Sequence, residues 1–236
     1  QYNLNRQQNR LSLFECGLKF LKQDSEIKQE MMVAGVLTGS RNPAHWGMES
    51  GSVDFFDIKG HVKSLLDLTG LATEFRFQPE LNPVLHPGQS AAIYRHDRVV
   101  GWLGALHPSV EQALGLSQRA YVFEIEAAAL TEGRVPAFMP VSRYPSIRRD
   151  IALVVDEAVS AAEVMDCIHL SASEYLTNIE LFDVYVGEGI DSGRKSLALG
   201  LTLQDLSRTL KDNEVEQELE QILGILNKKL GATLRE

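Results

Sequence analysis

Apolar and polar residues alternate over part of residues 11–20, and residues 31–37 form a short apolar run closed by Gly39. A two-residue period suits a half-buried strand, so the two segments read as paired strands. The period then changes. Ile58, Val62, Leu65, Leu66 and Leu68 recur at helical spacing, with Asp57 placed to cap the helix and Gly70 to stop it. Residues 74–77 return to a strand pattern. Residues 90–94 and 99–106 flank the polar turn Arg95-His96-Asp97-Arg98, a hairpin signal, and a short helix over residues 108–114 is ended by Gly115. Residues 121–125 close the region as a strand. The first 130 residues therefore predict a mostly antiparallel sheet with two helices.

Residues 131–140 contain Gly133, Pro136 and Pro140 and show no period, which marks them as a linker between domains at 1–130 and 141–236. Past it, residues 147–155 read as a strand, and Ser160 with Glu163 forms a capping box, hydroxyl and carboxylate each satisfying a free backbone donor of a helix running to about Leu170. Two further strands follow at 179–186 and 195–203. Thr209 and Asp212 suggest a second capping box, opening a helix that places Val215, Leu219, Ile222, Leu223, Leu226 and Leu230 on one face, with Gly231 as its stop before a short strand at 232–234. The order βαββαβ is the ferredoxin-like pattern. The fold class is thus α+β: a mostly antiparallel sheet domain, then a ferredoxin-like domain.

Strict alternation in the third of these strands sends Leu197, Leu199, Leu201 and Leu203 toward the helices and leaves Ser196, Ala198, Gly200, Thr202 and Gln204 on the opposite face. On the first strand Ile151, Leu153 and Val155 point inward, and Arg148, Asp150, Ala152 and Val154 outward. The open face is small and shallow in its middle, where a flat base could approach the backbone.

Charge restricts what could bind there. The 236 residues carry a net charge of −9, which argues against indiscriminate phosphate binding. Residues 141–236 hold 10 Lys and Arg against 17 Asp and Glu, whereas residues 1–140 hold 13 against 15, so the second half is the more acidic. Within it the charges separate: Glu214, Glu216, Glu218 and Glu220 crowd one helix, Arg143, Arg148 and Arg149 gather before the first strand, and Arg194, Lys195 and Arg208 cluster near the third. Arginines at a sheet edge beside a shallow surface could hold a few phosphates and expose bases for reading. Such a pair can equally be a solvated edge or an ion pair with Asp150, and an open sheet face can be a dimer interface that senses a small ligand. The central strands lack the paired aromatics on which RNA-recognition motifs stack bases.

Other chemistry is sparse. Cys16 and Cys167 are far apart and without CxxC spacing, so both are expected to be buried, reduced and inert. No apolar run is long enough for a membrane-spanning helix, and a cytoplasmic setting is expected. His86 and His107 each sit in a His-Pro pair and could act as acid–base groups, but no partnering carboxylate is evident and structural turns are the expectation. Histidines and cysteines show no metal-ligand spacing. Gly187-Glu188-Gly189 lies in a hairpin loop with no helix after it, a weak nucleotide signal. Trp46 and Trp102 read as core or interface aromatics. Gln1-Tyr2-Asn3-Leu4-Asn5 has neither an initiator Met nor a signal peptide, so the chain reads as a piece of a longer one.

Residues 141–155, from Val141-Ser142-Arg143-Tyr144-Pro145 through Arg148-Arg149-Asp150, closely resemble the start of the ferredoxin-fold anticodon-binding domain of phenylalanyl-tRNA synthetase beta subunits. The likeness continues in Leu181-Phe182-Asp183-Val184-Tyr185, in Gly193-Arg194-Lys195-Ser196-Leu197, and in Leu203-Gln204-Asp205 followed by Arg208-Thr209-Leu210. Upstream, Asn5-Arg6-Gln7-Gln8, Phe56-Asp57-Ile58-Lys59-Gly60, residues 85–91 and Gly104-Ala105-Leu106-His107-Pro108 look like the same family's preceding domain. The resemblance implies a C-terminal piece of a bacterial beta subunit: a noncatalytic copy of the class II synthetase core at 1–130 that packs on the catalytic alpha subunit, then a domain contacting tRNA-Phe. It implies no catalytic residue, metal or cofactor in this chain, whereas the parent enzyme, an alpha2beta2 heterotetramer, uses ATP and Mg2+ to join phenylalanine to its tRNA. Its proofreading domain would lie outside this chain. On this reading Arg143, Tyr144, Arg148, Arg149 and Lys195 contact RNA backbone or bases, and Ser196, Ala198 and Gly200 admit a base edge.

Overall fold

A computed structural model describes all residues except Asp24, Ser25, Ser50, Pro136, Met139 and Glu236, together with the side chain of Gln23. The chain divides into two compact units, Gln1–Ala137 and Phe138–Glu236. The division falls inside the stretch whose sequence has no period.

In the first unit β1 (Arg10–Gln23) and β2 (Glu26–Gly39) form a long antiparallel hairpin. Gly39 ends it with φ of 88°, and a Cβ there would overlap the carbonyl of Asn9, so only glycine fits the turn. Helix α1 (Phe55–Asp67) follows, then β3 (Phe75–Pro79), β4 (Leu85–Arg95), β5 (Arg98–Leu106), α2 (Pro108–Ala113), β6 (Ala120–Glu126) and α3 (Ala127–Thr131). The strands make one antiparallel sheet in the order β1-β2-β6-β5-β4-β3. Ile58, Val62 and Leu66 of α1 pack on Ile93, Leu103 and Ile125. The cap of α1 is Asp54, not Asp57: Asp54 accepts from the Phe56 and Asp57 amides, while Asp57 accepts from the Asp54 amide, so the expected cap is the second half of the box. Leu68 falls past the last turn and is exposed rather than on the buried face. The unit has three α-helices among the described residues where two were expected, the third being α3, which closes the first domain just ahead of the expected linker.

In the second unit β7 (Ile147–Asp156), α4 (Ala161–Ser171), β8 (Leu176–Tyr185), β9 (Arg194–Leu203), α5 (Asp212–Leu230) and β10 (Thr233–Leu234) realise the βαββαβ order. The antiparallel sheet runs β10-β7-β9-β8, and both helices cover one face, burying Leu153, Val155, Ile168, Leu197, Leu199, Leu201, Leu203, Ile222 and Leu226. Ser160 and Glu163 form the expected capping box of α4. At α5 the expected Thr209 cap is replaced by a start at Lys211, whose amide donates to Glu214 at 2.9 Å. A lysine side chain has no acceptor to return the bond, so this box is only half made.

Candidate nucleic-acid interface

Among the described residues, no element of the second unit covers the face of the four-stranded sheet away from α4 and α5. Its rows follow from register: Asp150, Gly200 and Glu180 lie side by side, as do Ala152 and Ala198, then Val154, Ser196 and Tyr185. A register shift between Leu181 and Asp183 bulges β8 at Phe182. Phe182 shares the outward parity of Glu180, which puts its ring on the open face with the Arg148 guanidinium 5.7 Å from its centroid, and the bulge turns Asp183 and Tyr185 to that face as well.

Arg148 lies flat across the sheet. Its guanidinium donates to Asp150 at 2.9 Å and to Glu180 at 2.8 Å, both of which hold its pKa above the ordinary arginine value. A Cβ on Gly200 would fall 2.5 Å from Nη2 of Arg148. The glycine thus makes room for the arginine, and the bare backbone expected at Gly200 is roofed by it. A second guanidinium mirrors this arrangement. Arg235 donates its amide to the carbonyl of Ala152 on β7, yet its guanidinium sits 4.8 Å from the Tyr185 ring centroid on β8. Ser196 lies in the row between them and is 3% exposed, so it too is not the open small residue the alternation suggested. Ala198 remains half-buried in the middle of the face. The Tyr185 hydroxyl donates to the carbonyl of Glu188, fixing the ring.

Of the predicted arginines and lysines, two turn away. Arg149, one residue from Arg148, points to the other side of the strand and pairs with Asp212 at the start of α5, 3.3 Å away. Period two forbids both arginines from serving one face. Lys195 is opposite Val155 on the helix-covered side and donates to the carbonyl of Glu157 at 2.9 Å. Arg143 is exposed in the segment before β7 and makes no ion pair among the described residues. Tyr144 in the same segment is partly exposed, and its carbonyl accepts from Nε2 of Gln204 at 2.7 Å, tying the segment to the end of β9.

Sequence reasoning missed Phe182, Tyr185, Arg194 and Arg235 as members of this face. Arg194 has the parity of Ser196, and one Nη donates to the carbonyls of Val154 and Gly231, with no carboxylate neutralising it among the described residues. That signal was available in the alternation. The same holds for Phe182, two residues from Glu180, whereas Tyr185 was hidden by the bulge and Arg235 by the distance its side chain spans.

The other sequence candidates are turns. Nδ1 of His86 accepts from the Gly88 amide at 3.1 Å, and Nδ1 of His107 caps α2 by accepting from the Ser109 amide at 3.2 Å. No cluster of three or more His, Cys, Asp or Glu suited to a metal occurs among the described residues. Cys167 is buried, but Cys16 is exposed because it lies on β1, an edge strand. Trp46 is 96% exposed, whereas Trp102 packs against Leu85, Leu106 and Ala120. No helix among the described residues is long and apolar enough to cross a membrane.

Residues 142–235 match the family model described as the ferredoxin-fold anticodon binding domain, and residues 1–127 match that of the phenylalanyl tRNA synthetase beta chain CLM domain. Fold, open face and matches together define an aminoacyl-tRNA synthetase subunit with an anticodon-binding module. The chain belongs to the phenylalanine–tRNA ligase beta-subunit family. Over its whole length it is 51% identical to the phenylalanine–tRNA ligase beta subunit of Pseudomonas savastanoi pv. phaseolicola, 46% to that of Shewanella oneidensis and 44% to that of Idiomarina loihiensis. It spans 30% of the length of each of these relatives. A pyrrolysyl tRNA synthetase from Desulfitobacterium hafniense aligns with a TM-score of 0.35 and 13% identity, covering 55% of this chain and 45% of that one, too slight a likeness to bear on function.

Proposed function

We propose that the second unit binds the anticodon end of tRNA-Phe on its open sheet face, as part of a phenylalanine–tRNA ligase whose catalysis lies elsewhere. The observation that carries this reading is the pair of arginine–aromatic contacts, Arg148 on Phe182 and Arg235 on Tyr185. Unstacked anticodon bases are recognised by stacking on aromatic rings and guanidinium planes and by hydrogen bonds to their edges. Asp150, Glu180 and Asp183 surround these stacks, offering acceptors to base amino groups while keeping non-specific phosphate attraction low. The acidity of this half of the chain is then a means of selectivity. Arg143 and Arg194 are the cations available to phosphates, and Arg149 and Lys195 have structural roles.

The first unit contains no catalytic set in this reading and packs against the alpha subunit. Leu13, Phe14, Leu18 and Phe20 on β1, with Ile27 and Met31 on β2, are exposed along one hairpin, and an apolar surface of this extent is characteristic of a permanent partner. The whole ligase would join phenylalanine to tRNA in the cytoplasm with ATP and Mg2+, as an alpha2beta2 heterotetramer. A sheet-to-sheet dimer that senses a small ligand is disfavoured because it would bury Asp150, Glu180 and Asp183 against their own copies. The test is binding of the chain to tRNA-Phe and to the same tRNA with a changed anticodon, each at two salt concentrations. Tighter binding of the unchanged anticodon, weakened by salt, is expected. Equal binding of both at low salt would remove anticodon reading from this chain.

A further inference from the structure

A cleft of about 490 Å³ opens in the first unit between the start of α1 and the end of the sheet where β3, β4 and β6 meet it, lined among others by Phe55, Lys59, Phe77, Gln89 and Tyr121. Its size is that of a small-molecule site. Three polar groups along it lack protein partners. The Lys59 ammonium makes no ion pair among the described residues and stands 5.1 Å from the Phe77 ring centroid. Burial, with the nearby charge of Lys63, lowers its pKa. The amide oxygen of Gln89 is buried with no hydrogen-bond partner. The Tyr121 phenol, 6% exposed, makes no hydrogen bond among the described residues, and burial raises its pKa.

The Lys59 ammonium and the rings around it limit what could bind. A partly desolvated cation without a counter-charge favours an anion, because burial without a partner costs free energy that a carboxylate returns. Phe55 and Phe77 offer apolar walls to a flat ring. Asp54, the one acidic residue lining it among the described residues, is already engaged with Arg41 at 2.6 Å and with the amides of Phe56 and Asp57, so it does not neutralise Lys59. We propose that this cleft is a binding site for a small aromatic carboxylate, its anion on Lys59 and its ring between Phe55 and Phe77. This site is in the unit assigned no catalysis, and it does not depend on RNA binding by the other unit.

The probe is 4-aminobenzoate, titrated into the whole chain and followed through the backbone amide resonances of Gly88 and Ala91, which line the cleft. Saturable shifts are expected, with the neutral 4-aminobenzamide at least tenfold weaker and inorganic phosphate, an anion without a ring, weaker too. Lys59→Met, which keeps the apolar stem, should weaken 4-aminobenzoate at least tenfold with an unchanged thermal midpoint. Shifts absent with 4-aminobenzoate, or equal affinities for the charged and neutral probes on the unaltered chain, would overturn the proposal even if a variant failed to fold. Phosphate binding as tightly as 4-aminobenzoate would overturn it as well, leaving a simple anion site.

Discussion

The two sheets expose surfaces of opposite character. The hairpin β1–β2 presents Phe14 at 78% exposure, along with Leu13, Leu18, Phe20, Ile27 and Met31. The open face of the four-stranded sheet presents Arg148 and Arg235 against rings, with Asp150 and Glu180 paired to Arg148. Apolar area is hard to leave in water and so suits an interface that does not come apart. Guanidinium planes held by carboxylates and rings are already ordered and still hydrated, which suits a ligand that must arrive and leave. On the proposed function, one chain would separate permanent assembly from reversible recognition by placing them on different sheets.

That contrast can be broken in several ways, the largest first. Leu199 lies at the centre of the second core and is fully buried. Leu199→Ala should lower the stability of that unit by about 2–5 kcal/mol and abolish RNA binding with it, as read by denaturant unfolding. The first unit's own unfolding transition should stay where it was. Replacing Phe14 and Phe20 together by Asp should weaken binding to the alpha subunit by at least tenfold in a pull-down titration, while anticodon stem-loop binding is unchanged. If RNA binding fell instead, the two surfaces would not have separate tasks.

A smaller loss is expected from Tyr185→Ala, about 1–3 kcal/mol of stem-loop affinity from the lost stack. Its dependence on salt should stay the same, since no phosphate contact is removed. Arg143→Ala should do the reverse, costing little affinity at high salt and reducing the slope of log affinity against log salt by about one phosphate contact.

The smallest effect concerns acid. Hydrogen bonds from Arg208, and then from the Lys211 amide, hold the Glu214 carboxyl below its ordinary value of 4.5. A carboxyl lowered in the folded state contributes stability above its unfolded value and loses it as pH falls through the folded one. The thermal midpoint should therefore drop between pH 5 and pH 3, and Glu214→Gln should shrink that drop. An unchanged drop would mean that the pair adds nothing to the acid response of the second unit.

Much of this was legible in the chain. Period-two leucines from Leu197 to Leu203 located the covered face of β9, and Ser160 with Glu163 located the start of α4. Alternation also contained, unread, the reason that Arg148 and Arg149 cannot share a face. Other features had no local signal. The Asp54 cap stands three residues before an equally suitable Asp57, and only the backbone bonds decide between them.

What the sequence by itself determined is the set of elements, their order and the inward face of each strand, because these depend on spacing between residues close in the chain. What tertiary structure alone decided is what covers the outward face. Arg148 fills the space over Gly200, Arg235 reaches from the last strand to a ring on β8, and Lys59 is left without a counter-charge in a cleft between α1 and the sheet. Each of these depends on how far a long side chain extends across neighbouring strands, and strand order, which sets that distance, is not written in any one segment.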